Sequence, residues 1–130
     1  MIQAIDHVAI TVADLEVSCD FYARVLDARV AQSFEIDGRQ AVRRVELGKV
    51  ILNIHQQGNG LDLVARNPLP GSADICFRWS STIKQAQELL ARRGVAIVEG
   101  PVRRISSEGL PAMSVYFRDP DGNLIELLAS

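Results

Sequence analysis

The hydropathy pattern of this chain is written twice, and that repetition limits the fold more than any single residue does. Sliding the sequence along itself by 67 residues lays His7-Val-Ala-Ile-Thr-Val onto Asp74-Ile-Cys-Phe-Arg-Trp. The same offset lays Asp14–Leu26 onto Ser81–Arg93. Identities are few, so the match is one of pattern: each half opens on a strand, passes through a helix and ends in further strands. Residues 6–12 alternate, with Val8, Ile10 and Val12 on one face and His7, Ala9 and Thr11 on the other. Asp14 is the expected N-cap of a first helix whose buried stripe is Leu15, Cys19, Tyr22 and Leu26. In the second half Thr82 and Gln85 fit a capping box. Ile83, Ala86 and Leu90 form the second stripe, and Gly94 suits the end of that helix.

Hairpin material follows each helix. Residues 29–36 and 40–47 flank Asp37-Gly38, a strong turn signal, and Gly48 precedes a strand at 50–55. In the second half 95–98 and 112–118 read as strands, and 124–128 forms the last one. Gly58, Gly60, Pro68, Pro70 and Gly71 mark residues 57–73 as a connector. The expected fold class is therefore α+β: one domain over 1–130, made of a βαβββ module at 4–56 and a second at 74–129. A chain of 130 residues that is 48% hydrophobic has enough apolar matter for a core.

Charge excludes some partners. Fourteen Lys and Arg stand against 16 Asp and Glu, a net charge of −2, which favours neither nucleic acid nor an acidic membrane surface. Cys19 and Cys76 lie far apart without Cys-x-x-Cys spacing, so neither a disulfide framework nor a zinc knuckle is expected. No secretory leader or membrane-length apolar run is visible, and the expected compartment is the cytoplasm.

One residue breaks the apolar pattern of the last strand. Glu126 sits between Ile125 and Leu127, and a carboxylate there is costly to bury unless it is paired. A salt bridge to Arg43, Arg44 or Arg78 is one solution. A metal is the other. The chain has only two histidines, His7 and His55, both on expected strands of the first half. Strand parity puts His7 on the face opposite the helix, and repeat equivalence puts Asp74 there too. Asn53 and His55 share a face, and strand register decides which of them reaches a site. Two neutral imidazoles with one or two carboxylates make a ligand set for Zn²⁺, Ni²⁺, Fe²⁺, Mn²⁺ or Co²⁺.

Three stretches carry a resemblance: Asp6-His7-Val-Ala-Ile-Thr-Val, Phe21-Tyr22 followed by Val25-Leu26, and Asp119-Pro-Asp-Gly-Asn-Leu-Ile-Glu126. Through them residues 4–129 resemble the vicinal oxygen chelate superfamily of glyoxalase I, extradiol dioxygenases, methylmalonyl-CoA epimerase and fosfomycin-resistance proteins. Pro70-Gly-Ser-Ala-Asp-Ile-Cys76, Glu99-Gly-Pro101 and Asn53-Ile-His55 are similar to a subgroup of small glyoxalase-domain proteins. The resemblance implies a cup-shaped mixed β-sheet with helices on its outer face, around one divalent ion. His7 and Glu126 match the family's ligands directly. The family commonly has His where Asp74 stands, and Glu or Gln where Asn53 and His55 stand. The implied metal set is His7, His55, Asp74 and Glu126, with Glu126 and Asp74 as catalytic carboxylates. Extradiol enzymes need a further His upstream of Tyr116, and the window 106–111 has none, so ring cleavage is disfavoured. The expected activity is a metal-dependent, glyoxalase-like lyase or isomerase acting on a small oxygen-rich substrate. A small-molecule binding protein without catalysis is the alternative, and a homodimer is the expected assembly.

Overall fold

The structure is a computed structural model that describes all residues, Met1–Ser130. It divides into two compact units, Met1–Ser72 and Ala73–Ser130, so residues 57–72 of the expected connector belong with the first.

The first unit runs β1 (Val8–Val12), α1 (Leu15–Leu26), β2 (Arg29–Ile36), β3 (Arg39–Leu47) and β4 (Val50–Gln56). Its sheet has the order β1-β4-β3-β2, with β1 parallel to β4 and the other pairs antiparallel. Asp14 caps α1 by accepting from the backbone N–H groups of Glu16 and Val17 at 3.0 and 3.1 Å. Gln56, at the end of β4, accepts from Leu15 N (2.9 Å) and donates to Ala13 O (2.7 Å), tying the helix start to the sheet. Leu15, Cys19 and Tyr22 are buried as expected, but Val25 rather than Leu26 completes the stripe. They share a core with Ile10, Val12, Val45, Leu52 and Ile54. Ala9, Thr11, Asn53 and His55 alternate with these core residues and occupy the opposite face.

The second unit repeats the plan with β5 (Asp74–Trp79), α2 (Ile83–Arg92), β6 (Glu99–Ile105), β7 (Pro111–Arg118) and β8 (Leu124–Ala129), in the order β5-β8-β7-β6. Thr82 and Gln85 form the expected capping box. The strand expected at 95–98 is not there. Val95 N bonds Leu90 O at 2.9 Å and Gly94 N bonds Ala91 O at 3.2 Å, so these residues close the end of α2. The chain reaches the sheet only where Val98 N meets Tyr116 O at 2.8 Å, and β6 starts at Glu99. Gly100-Pro101 looks like a breaker in sequence but sits inside this edge strand, where the register shifts between Glu99 and Val102. Gly100 has φ +103, and a Cβ there would run into the backbone oxygen of Ser114, so only glycine fits.

The Asp119-Pro-Asp-Gly-Asn123 turn is a register clamp. Asp119 Oδ1 accepts from Asp121 N (3.0 Å) and Asn123 N (2.9 Å), and Asp119 Oδ2 accepts from Asn123 Nδ2 (2.7 Å). Asn123 Oδ1 accepts in turn from Ala73 N at 2.9 Å, just before β5. Both side chains are buried. The turn thereby fixes β8 against β5 and decides what stands beside Glu126.

Candidate metal and substrate site

The histidine face belongs to the first unit. His7 lies one residue before β1, with its side chain 46% exposed. Its Nδ1 is 2.7 Å from Asp6 Oδ1. A carboxylate on Nδ1 selects the tautomer that leaves Nε2 without a proton, the arrangement found behind metal-binding imidazoles. His55 stands on β4 opposite Thr11 of β1 and Val42 of β3. Its Nδ1 is 3.4 Å from Asn59 Nδ2. Burial, and after it the charge of His7, holds the His55 imidazole below its ordinary pKa of 6.5, so it is neutral near pH 7. Both histidines line one cavity of about 420 Å³, together with Ala9, Thr11, Leu63, Val64 and Ala65. His7 is four residues before Thr11, the register partner of His55. The two Cα atoms thus differ by about 13 Å along the strand.

The carboxylate face belongs to the second unit. Glu126 is paired across the sheet with Cys76 of β5 on one side and Tyr116 of β7 on the other. The Cys76 thiol and the Tyr116 hydroxyl both donate to its carboxylate. Tyr116 Oη accepts from Arg104 Nε at 2.8 Å, and the guanidinium carbon lies 5.4 Å from the Tyr116 ring centre. Loss of water around Sγ, followed by the charge and hydrogen bond of Glu126, pushes the Cys76 thiol up to about 12. Burial is also the largest cause of the raised Tyr116 pKa, with Arg104 opposing it. Asp74 opens β5 opposite Leu124, exposed, and shares the face of Cys76. Arg78, one possible ion-pair partner for Glu126, is instead paired with Glu108 at 2.9 Å.

The four expected ligands thus fall into two pairs: His7 with His55 in the first unit, Asp74 with Glu126 in the second. Neither unit by itself gathers three His, Cys, Asp or Glu donors around one point. The donor chemistry of His7, with a carboxylate on Nδ1, fits a divalent ion nonetheless, as does the Glu126 carboxylate held by two donors. Register also gives the repeat a more exact meaning. Ala9 pairs with Asn53, and Cys76, its counterpart at the offset of 67, pairs with Glu126. Asn53 is therefore the structural counterpart of Glu126, and His55 lies one alternation farther along β4.

Four participants were not foreseen as site residues. Asp6 stands in the quoted motif, but its bond to His7 depends on side-chain direction. Arg104 lies on β6, a strand the sequence reading did not place. Leu63 and Val64 lie in the connector, where no periodicity exists to assign them a face.

Comparison with known proteins agrees with this architecture. A glyoxalase domain-containing protein of Mycosarcoma maydis, RDO1, is 42% identical over 126 residues, covering 97% of this chain and 68% of its own. Virulence protein STM3117 of Salmonella typhimurium is 39% identical over 127 residues, covering 98% of this chain and 84% of its own. The crystal structure of STM3117 matches with a TM-score of 0.85 at 37% identity, covering 99% of this chain and 98% of that one. An ethylmalonyl-CoA/methylmalonyl-CoA epimerase of Cereibacter sphaeroides is 30% identical over 132 residues, covering 98% of each. With the family model matching residues 4–127, over both βαβββ units, the chain belongs to the Glyoxalase/Bleomycin resistance protein/Dioxygenase superfamily.

Proposed function

We propose that this protein is a divalent-metal-dependent lyase or isomerase of the glyoxalase type, acting on a small substrate with two neighbouring oxygens. The observation that carries the reading is the His7 imidazole on the cavity with its Nδ1 on the Asp6 carboxylate, the arrangement found behind metal-binding imidazoles. His7 and Glu126 would hold the ion, with Asp74 as the second carboxylate; Zn, Ni, Fe, Mn and Co all suit such donors. When bound, the ion supplies Lewis-acid stabilisation of negative charge on a substrate oxygen. The chain's own residues do the rest. Asp6 holds the His7 ring in one orientation, and Cys76 and Tyr116 hold the Glu126 carboxylate. Asp74, exposed beside them, is free to take a proton from the carbon next to a carbonyl and return it. The relationship to an epimerase supports proton transfer over redox chemistry.

A binding protein without catalysis is the second reading. What favours it is Asp74, a carboxylate at the start of β5 where the family commonly has an imidazole. Elemental analysis of the purified protein separates the two, with His7→Ala and Glu126→Ala as controls. One divalent ion per chain that is lost in both variants is the expected result. Metal content unchanged in both variants refutes the ligand assignment, and a chain that takes up no ion leaves the binding reading. A homodimer in the cytoplasm is the proposed setting, and light scattering tests the assembly.

A further inference from the structure

One cation of the first unit stands on the histidine face without a hydrogen-bonded partner. Arg44 of β3 is the register partner of Asn53 on β4, which in turn pairs with Ala9 of β1. Residues on one rung share a face, and directly opposite Cβ atoms lie within about 4.5–5.5 Å of each other. The next residue agrees with this parity: Arg43 faces the core side, where it bonds Cys19 of α1. Two carboxylates neighbour Arg44, and both are engaged elsewhere. Glu46 is held by Arg29 at 2.7 Å, and Asp6 by His7 at 2.7 Å. The Asp6 carboxyl is kept below its ordinary pKa first by the hydrogen bond and charge of His7, and in smaller part by the charge of Arg44. The Arg44 charge thus reaches the His7 end of the face, yet Arg44 enters no ion pair. Arg44 and Asn53 are both half-buried, and Ala9 presents only a methyl beside the Asn53 amide.

We propose that Arg44 and Asn53 form an oxyanion subsite on this face, and that the small molecule bound there carries a carboxylate. A guanidinium presents a planar fork of N–H donors that matches the two oxygens of a carboxylate, and a neighbouring carboxamide adds a further donor. A half-buried fork has lost part of its water, and a carboxylate replaces that water with charge-assisted hydrogen bonds. One cation and one neutral amide balance a single negative charge, so a phosphate dianion fits less well. The inference takes from the reading above only that a small molecule binds on the histidine face, and it needs no metal.

The test uses the full chain, stripped of metal with a chelator, and three probes: pyruvate, its neutral counterpart pyruvamide, and inorganic phosphate. Nitrogen-resolved NMR follows the Arg44 Nε–H and Asn53 Nδ2 resonances. Pyruvate is expected to shift both saturably and to bind about tenfold more tightly than pyruvamide. Arg44→Met keeps the apolar stem and is expected to lower pyruvate affinity by about tenfold. Arg44→Lys, a point charge without the fork, is expected to restore only part of that loss. Equal binding of pyruvate and pyruvamide overturns the subsite, as does equal pyruvate binding in the parent and Arg44→Met. Tighter binding of phosphate than of pyruvate overturns the carboxylate. Elemental analysis of the parent keeps the two readings apart. A chain that holds metal but shows no pyruvate selectivity overturns the subsite alone, and one that selects pyruvate but takes up no metal overturns the metal-site reading alone.

Discussion

Cys76 is exposed, yet it is expected to behave as an unreactive thiol. The thiolate is the reactive form, and its fraction follows the pKa. A thiol at the ordinary value of 9.0 is about one-tenth thiolate at pH 8, whereas one at about 12 is about one part in ten thousand. Cys76 should therefore react with iodoacetamide on the order of a thousandfold more slowly than a free cysteine. Glu126→Gln removes the charge and weakens the hydrogen bond, the second and third causes of the shift, and leaves the first, burial. The rate in that variant should rise by roughly tenfold or more and still stay below that of a free thiol. Peptide mass spectrometry separates Cys76 from Cys19, which is buried and serves as the internal control. The parent's Cys76 alkylating as fast as a model thiol would refute the Glu126–Cys76 contact. So would a Glu126→Gln rate equal to the parent's. Because the folded pKa lies above the unfolded one, this thiol's contribution to stability is complete below about pH 9 and is lost as pH rises toward about 12.

Three further outcomes follow from other contacts. Asn123→Ala removes the amide that bonds Asp119 and leaves Ala73 N without its acceptor, and should cost about 2–3 kcal/mol in urea unfolding; a loss below about 0.5 kcal/mol would mean that the turn is not a clamp. His55 has a folded pKa below its unfolded one, so its contribution is present above about pH 6.5 and is lost as pH falls through the folded value. The melting temperature should fall between about pH 7.5 and pH 5.5, and His55→Asn should flatten that part of the profile. Arg104→Met removes the donor that holds the Tyr116 pKa down, so ultraviolet titration should show Tyr116 ionising at higher pH than in the parent.

Much of this architecture was legible because it rests on local physics. The caps at Asp14 and Thr82 were readable because a cap is a short-range side-chain-to-backbone bond. The alternation of Val8, Ile10 and Val12 located the histidine face because a strand has period two. The failures are nonlocal. Gly100-Pro101 hid β6 because an edge strand tolerates a proline that a central strand excludes. The bond of Arg104 to Tyr116 stayed hidden with it, since it exists only if β6 exists. Asp119 and Asn123 were quoted as a family motif. Their physical role, a buried bond network that sets register, appears only when Ala73 is seen to donate to Asn123.

The same register sharpens the first unit's part in the site. The family commonly has a carboxylate or carboxamide where this chain offers Asn53 and His55, and sequence left the choice between them open. The ladders answer in structural terms: Asn53 stands on the rung that corresponds to Glu126, on the same face as both histidines and between their positions along the strands. A carboxamide offers one neutral oxygen to a cation, whereas a carboxylate adds a full charge at nearly the same volume. Asn53→Asp should therefore tighten Co²⁺ binding by about tenfold, and Asn53→Leu, which removes the oxygen, should weaken it. Both follow by calorimetry on the metal-free chain, with His7→Ala as the null. Equal affinity in the parent and both Asn53 variants would place the ion away from this rung and leave His7 and His55 without a common role.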